Sequence, residues 1–256
     1  MTMAEESLIA VFIDFENLSI GAAAMKSGGR KFDIDVILKR LLERGRIVLK
    51  RAYCDWSSHR DIVREFHSRG IELIDIPRSK MSGKNSADIH MVVDALELCH
   101  TKQHIDIFAL LSGDSDFSPL VGKLKENDKR VIGCGIKSST SDLLVKGCDE
   151  FVFYDDLISA AERPRTRRRR KQGDGGQREA GVDRLMEIVY SLSAEYEPLW
   201  GSIVKQTLRR VHPDFNEANY GFSGFAELLK EAEKQGLVVL EYDGERGNYK
   251  IRVREE

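Results

Sequence analysis

The chain has 256 residues, 41% of them hydrophobic and 32% charged, with 40 basic and 42 acidic side chains and a formal net charge of −2. That length suits one α/β domain plus a smaller module, and the composition is that of an ordinary soluble protein. The apolar stretch from Ile9 to Ile13 is strand-length and follows Glu5 and Glu6, so neither a membrane span nor a secretory leader is expected there. Four cysteines (Cys54, Cys99, Cys134 and Cys148) stand far apart with no CxxC pair, which predicts buried reduced thiols, no zinc site and a cytoplasmic protein.

Residues 1–162 alternate strand and helix patterns, the signature of a parallel sheet covered by helices on both faces. Strands are predicted at 8–13, 46–53, 71–76, 105–111, 130–134 and 150–153. Helical spacing marks residues 33–42 through Ile34, Ile37, Leu38 and Leu41. It also marks 86–99 through Ile89, Val92, Val93 and Leu96. Ser118-Pro119 reads as a cap and first turn of another helix. Residues 163–181 carry 8 basic and 2 acidic side chains, no apolar periodicity and a glycine-rich end, and are expected to form a disordered basic linker. Beyond it, helices are predicted at 182–193, 201–211 and 224–234. A hairpin follows, with strands at 237–242 and 249–253, which suggests a winged-helix α+β module. This last segment holds 10 basic and 14 acidic residues, so the positive charge is concentrated in the linker.

Carboxylates at strand ends and helix starts carry the chemistry. Asp14 closes the strand of IAVFIDFEN, Asp88 lies in the first turn of SADIHMVVDAL, and Asp114 with Asp116 leaves the strand in LLSGDSDF. Converging carboxylates repel one another, and a hard divalent cation such as Mg²⁺ or Mn²⁺ is the natural neutraliser. Asp114 is the firmer ligand of its pair, while Asp116 or Ser118 alone could be explained by a turn or a helix cap. Gly113 would permit a tight turn. Asn17, one turn after Asp14, could orient water without adding charge. Asp94 shares the Asp88 helix but lies six residues on, about 120° around the axis, and is expected to support rather than ligate. Phosphate contacts are sought in the loop bearing Arg78, Lys80 and Lys84, and at Lys137 and Ser138 before a helix start. His100 and His104 fall at the far end of the Asp88 helix and suit an exposed terminus. Gly133-Cys-Gly is too short for a dinucleotide fingerprint.

Taken together, VFIDFEN, SADIHMVVDAL, LLSGDSDF and KSSTSDLLVKGCDEFVFYDDL resemble the NYN domain in its LabA-like branch, over nearly all of residues 7–160. The resemblance implies a PIN-like fold and a Mg²⁺- or Mn²⁺-dependent ribonuclease. It places the family's acidic positions on Asp14, Asp88, Asp114 and Asp116, with Asn17 as amide partner and Asp94 accompanying them. It also implies products with 5′-phosphate and 3′-hydroxyl ends. The run from IVKQTLRRVHPDFNEANYGFSGF to LVVLE is similar to the LOTUS (OST-HTH) domain, a winged helix associated with RNA, including structured G-rich RNA, and with protein partners. There Lys205, Arg209 and Arg210 are the candidate phosphate contacts. Leu208, Phe215, Phe222, Phe225, Leu228 and Leu229 suit the core. Trp200 and Tyr220 could offer faces to bases, although core packing is their plainer role.

The expectation is a two-domain RNA-processing enzyme in which an activated water attacks phosphorus in line at a cation held by Asp14, Asp88 and Asp114. The rival readings are a non-catalytic RNA-binding adaptor with a structural ion in the acidic pocket, and a phosphatase for small phosphoesters. The choice between RNA and DNA has no sequence signature, and neither has the oligomeric state.

Overall fold

The computed structural model describes residues 6–25, 32–77, 85–162 and 175–254. The chain divides into two compact units, Met1–Pro164 and Arg165–Glu256.

The first unit is built on strands β1 (Leu8–Asp14), β2 (Arg46–Cys54), β3 (Glu72–Asp75), β4 (Ile107–Leu111), β5 (Arg130–Gly135) and β6 (Glu150–Phe153). All pairings are parallel and the sheet order is β3-β2-β1-β4-β5-β6. Helices fill the crossovers: α1 (Phe15–Ala24), α2 (Ile34–Leu42), α3 (Arg60–Ser68), α4 (Ser86–Thr101), α5 (Ser118–Glu126) and α6 (Asp142–Gly147), and α7 (Tyr154–Glu162) follows β6. The pleat sorts side chains between two cores. Ile9, Val11 and Ile13 of β1 face α1, α2 and α3 on one side. Ala10 and Phe12 face Met91 and Ala95 of α4 and Leu120 of α5 on the other. Central strands buried on both faces explain why β1 and β4 are continuous apolar runs.

Asp33 caps α2 by accepting from the Asp35 N–H at 2.9 Å. The start of α5 departs from its sequence reading. The cap position is Phe117, Ser118 is the first helical residue, and the Ser118 hydroxyl is buried with no hydrogen-bond partner among the described residues. β3 is also shorter than expected, at four residues.

The second unit comprises α8 (Gly175–Ser193), β7 (Leu199–Trp200), α9 (Gly201–Val211), α10 (Phe225–Lys234), β8 (Val238–Asp243) and β9 (Asn248–Val253). Its sheet is antiparallel in the order β7-β9-β8. Two features depart from the sequence reading. Residues 175–181, assigned to the linker, are helical, and the Arg178 guanidinium lies 4.4 Å from the Phe222 ring and pairs with Glu227 at 2.8 Å. The hairpin gains a third strand, the two-residue β7, which pairs with β9. Leu208, Phe215, Phe222, Leu228 and Leu229 are buried as expected, whereas Phe225 is only half-buried. Residues 163–174, with most of the basic run, lie outside the described residues.

Candidate acidic site

In the first sheet the strand order reverses between β1 and β4, and open parallel sheets place their ligand sites in the crevice at such a point, beyond the carboxyl ends of the strands. Asp14 is the last residue of β1, and Ser112-Gly113-Asp114 follows β4 directly. The pleat turns Asp14 to the same side as Phe12, toward α4.

Asp14 is 6% exposed. One carboxylate oxygen caps α1 by accepting the Asn17 N–H at 3.1 Å, and the other accepts the Ser112 hydroxyl at 2.8 Å. These bonds only partly offset its burial, which pushes its pKa up to about 6, with the charges of Asp88 and Asp114 adding to the rise. Ser112 is fully buried, and its oxygen also accepts the Asp114 N–H at 3.1 Å. The Asn17 side-chain oxygen Oδ1 accepts the Gly113 N–H at 2.9 Å. Asn17 therefore ties the end of β4 to α1 through its oxygen.

Asp114 caps the 3₁₀ turn Ser115–Phe117 by accepting the Asp116 N–H at 2.9 Å, and Asp116 accepts from the Asn85 amide at 3.1 Å. Asp88, in the first turn of α4, is half-buried, and its pKa is raised by burial first and then by Asp114 and Asp116. Asp14, Asp88, Asp114 and Asp116 thus form one electrostatic neighbourhood with Asn17 at its edge. Asp94 stands outside it. Its carboxylate accepts the Tyr53 hydroxyl at 2.7 Å and an Arg51 N–H at 3.4 Å, and Arg51 in turn pairs with Glu72 at 2.7 Å. Burial, then Asp94, holds the Tyr53 phenol protonated far above its usual range.

Gly113 is required for close approach and not for an unusual turn, because its φ is not positive. A Cβ there would lie 2.3 Å from the Ser139 carbonyl oxygen and 2.8 Å from the Thr140 Cα. The Ser141 N–H donates to the Gly113 carbonyl at 2.9 Å, so the loop bearing Lys137 and Ser138 is docked beside the site. Lys137 itself is directed elsewhere: its ammonium pairs with Asp156 of α7 and its N–H donates to Asp155 at 2.8 Å. Ser138 is exposed. Arg78, Lys80 and Lys84 lie outside the described residues. His100 and His104 are exposed, with His100 in the last turn of α4. On α9, Arg209 approaches Glu217 at 3.8 Å, the Lys205 ammonium lies 5.7 Å from the Phe225 ring, and Arg210 donates to the Thr207 hydroxyl at 3.1 Å. Sequence reasoning missed Ser112 and Asn85. Ser112 stood inside the LLSGDSDF motif, but a serine's partners depend on which strand lies beside it.

Among the described residues no three His, Cys, Asp or Glu side chains form a ready cation-binding group. Both Asp14 oxygens and one Asp114 oxygen accept hydrogen bonds from backbone or hydroxyl donors. The donor set nevertheless fits a hard ion of the magnesium type. Such ions keep several waters and are held by one or two carboxylates together with substrate phosphates, not by a closed protein cage.

The sequence profile of the NYN domain matches residues 8–157. An uncharacterised protein of Methanocaldococcus jannaschii is 33% identical over 112 residues, 44% of this chain and 43% of that protein, so the chain spans less than half of that relative's length. A crystal structure of a Vibrio parahaemolyticus protein of unknown function superposes with a TM-score of 0.52 at 26% identity, covering 61% of this chain and 98% of that one. With the profile covering more than half of its residues, the chain belongs to the NYN domain family.

Proposed function

We propose that the protein is a divalent-cation-dependent nuclease that hydrolyses RNA phosphodiester bonds in the crevice between β1 and β4. The observation that carries this reading is Asp14, a carboxylate 6% exposed beside Asp88 and Asp114, whose ionised form is disfavoured until a cation neutralises it. Asp14, Asp88 and Asp114 would hold Mg²⁺ or Mn²⁺, which would supply charge neutralisation and Lewis acidity toward the phosphate.

The chain's own groups do the rest. Ser112 and Asn17 fix Asp14 and the end of β4, so the carboxylates do not reorganise when charge develops. Burial, then the charges of Asp114 and Asp116, disfavours ionised Asp88, so a cation would be needed there to neutralise the cluster. Asp116, exposed and held by Asn85, is placed to orient water at the rim. The order of helices and antiparallel strands in the second unit supports a LOTUS-like winged helix that recruits RNA or a protein partner.

Labelled single-stranded and G-rich structured RNA, incubated with Mn²⁺, Mg²⁺ or EDTA, tests the reading. Cleavage should require metal and vanish in Asp14→Asn and Asp114→Asn. RNA that is bound tightly but left intact would overturn the nuclease in favour of the adaptor. Cleavage surviving both substitutions would overturn the site.

A further inference from the structure

The three-stranded sheet of the second unit has two unlike faces. Register places Leu199, Ile251 and Leu240 in one row across β7, β9 and β8, with Leu199 and Ile251 buried against the helices. The adjacent row is Trp200, Lys250 and Glu241, and it belongs to the opposite face. Arg252 and Val239, paired one position further on after a buried row, continue that face, and Val239 is 49% exposed. The hairpin turn adds a further cation. The Arg246 N–H donates to the Asp243 carboxylate at 3.0 Å, and the Arg246 guanidinium lies 4.9 Å from the Trp200 ring centroid. The Lys250 ammonium lies 5.7 Å from the same centroid. Trp200, for which core packing was the plainer expectation, is therefore half-buried on an outer face with Arg246 and Lys250 against its ring, and Arg252 lies further along the same face.

We propose that this outer face, and not α9, is where the C-terminal unit takes single-stranded RNA, with a base stacking on Trp200 and phosphates meeting Arg246, Lys250 and Arg252. The proposal rests on the reading of this unit as an RNA-recruiting module and assigns its contact surface. Aromatic rings flanked by cations are the physical requirement for holding unpaired nucleotides, because every base has a π face and every linkage a charge. Arg246 and Lys250 end long flexible stems, so a base can replace them on the ring while they move to the flanking phosphates. On α9 the arrangement is thinner: Arg209 faces Glu217, Arg210 is bound to Thr207, and Lys205 alone lies over the ring of Phe225, whereas Trp200 has two cations against it.

The face also carries its own competitor. Glu241 holds Lys250 at 2.9 Å and approaches Arg252 at 4.0 Å. An incoming phosphate must displace this carboxylate, so Glu241 lowers the affinity of the face for any polyanion. That predicts a gain of binding on substitution, which a misfolded variant would not produce.

The test is titration of the full-length protein with a labelled uridine oligonucleotide in EDTA, followed by anisotropy and by tryptophan emission. Only two tryptophans are present, and Trp56 is buried in the first unit, so quenching reports Trp200. Expected results are quenching on binding, about tenfold weaker binding for Trp200→Ala, and a shallower salt dependence for Lys250→Ala, by roughly 0.7 in log–log slope. Glu241→Gln should bind a few-fold more tightly. Binding without quenching that Lys205→Ala and Arg209→Ala weaken, while Trp200→Ala and Glu241→Gln leave it unchanged, would overturn the assigned face and leave the RNA-recruiting reading standing. Binding indifferent to both sets would place RNA on another part of the chain, such as the basic run at 163–174, and would overturn both. No binding by the wild type would also overturn both.

Discussion

The hydroxyl of Ser112 donates to Asp14 at 2.8 Å while accepting the Asp114 N–H at 3.1 Å, so one buried oxygen joins the ends of β1 and β4. Ser112→Ala removes both bonds at once. It leaves a buried carboxylate with one donor fewer and a backbone N–H without its acceptor. The expected cost is about 1–3 kcal/mol, read from urea denaturation. RNA cleavage should also fall, because Asp14 loses the group that fixes it. Unchanged stability would show that the two strand ends are held by other means.

Asp14 makes the metal-free protein sensitive to pH. Its carboxyl titrates near 6 when folded and near 3.8 otherwise, so the folded chain binds this proton more tightly. That contribution to stability is complete below about pH 4 and is lost as pH rises to 6, about 3 kcal/mol in all. In EDTA, the melting temperature of wild type relative to Asp14→Asn should fall across that window, leaving the variant more stable at pH 7.5. Mg²⁺ or Mn²⁺ should then stabilise wild type above pH 6 and leave the variant nearly unmoved. A difference between the two proteins that stays flat from pH 4 to 7 would contradict the electrostatic account.

Two glycines give opposite expectations. Gly113→Ala forces a Cβ to 2.3 Å from the Ser139 carbonyl oxygen, and neither backbone can yield cheaply, so a loss of about 1–3 kcal/mol is expected. Gly122, within α5, has open space around its Cβ position. Gly122→Ala should stabilise the protein by roughly 0.5–1 kcal/mol through helix propensity. Thermal melts of both variants check the pair.

Much of this architecture is legible in the chain because it is local or periodic. The apolar runs ending at Ile13 and Leu111 mark central strands, and an aspartate directly after such a run falls at the carboxyl edge of a parallel sheet. What is not legible depends on partners distant in sequence. Lys137 reads as a phosphate contact until Asp156 is brought beside it. Gly113 reads as a turn residue until the backbone at Ser139 packs on it. Residues 175–181 lack apolar periodicity, and their helix is held by Arg178 against Phe222 and Glu227, contacts that no local pattern announces. Two residues suffice for β7 only because β9 supplies its pairing.

Asp88 and Asp94 share α4 but should fail differently. Asp88 is discouraged from ionising by burial first and then by Asp114 and Asp116, so Asp88→Asn relieves both a buried charge and its repulsion. Stability should hold or rise while metal-dependent cleavage falls by about a hundredfold, because the cation loses one of its carboxylates. Asp94 instead satisfies the hydroxyl of Tyr53, a residue fully buried one strand from Asp14. Asp94→Ala takes from that hydroxyl its carboxylate acceptor and leaves Arg51 with Glu72 alone as its carboxylate partner, for an expected loss of about 1–3 kcal/mol. Cleavage per folded molecule should fall much less than in Asp88→Asn, and most of any loss should return with Tyr53→Phe, which removes the orphaned group. Urea melts and initial cleavage rates on the same preparations separate the two roles. An Asp94→Ala protein as stable as wild type but inactive would move Asp94 into the site.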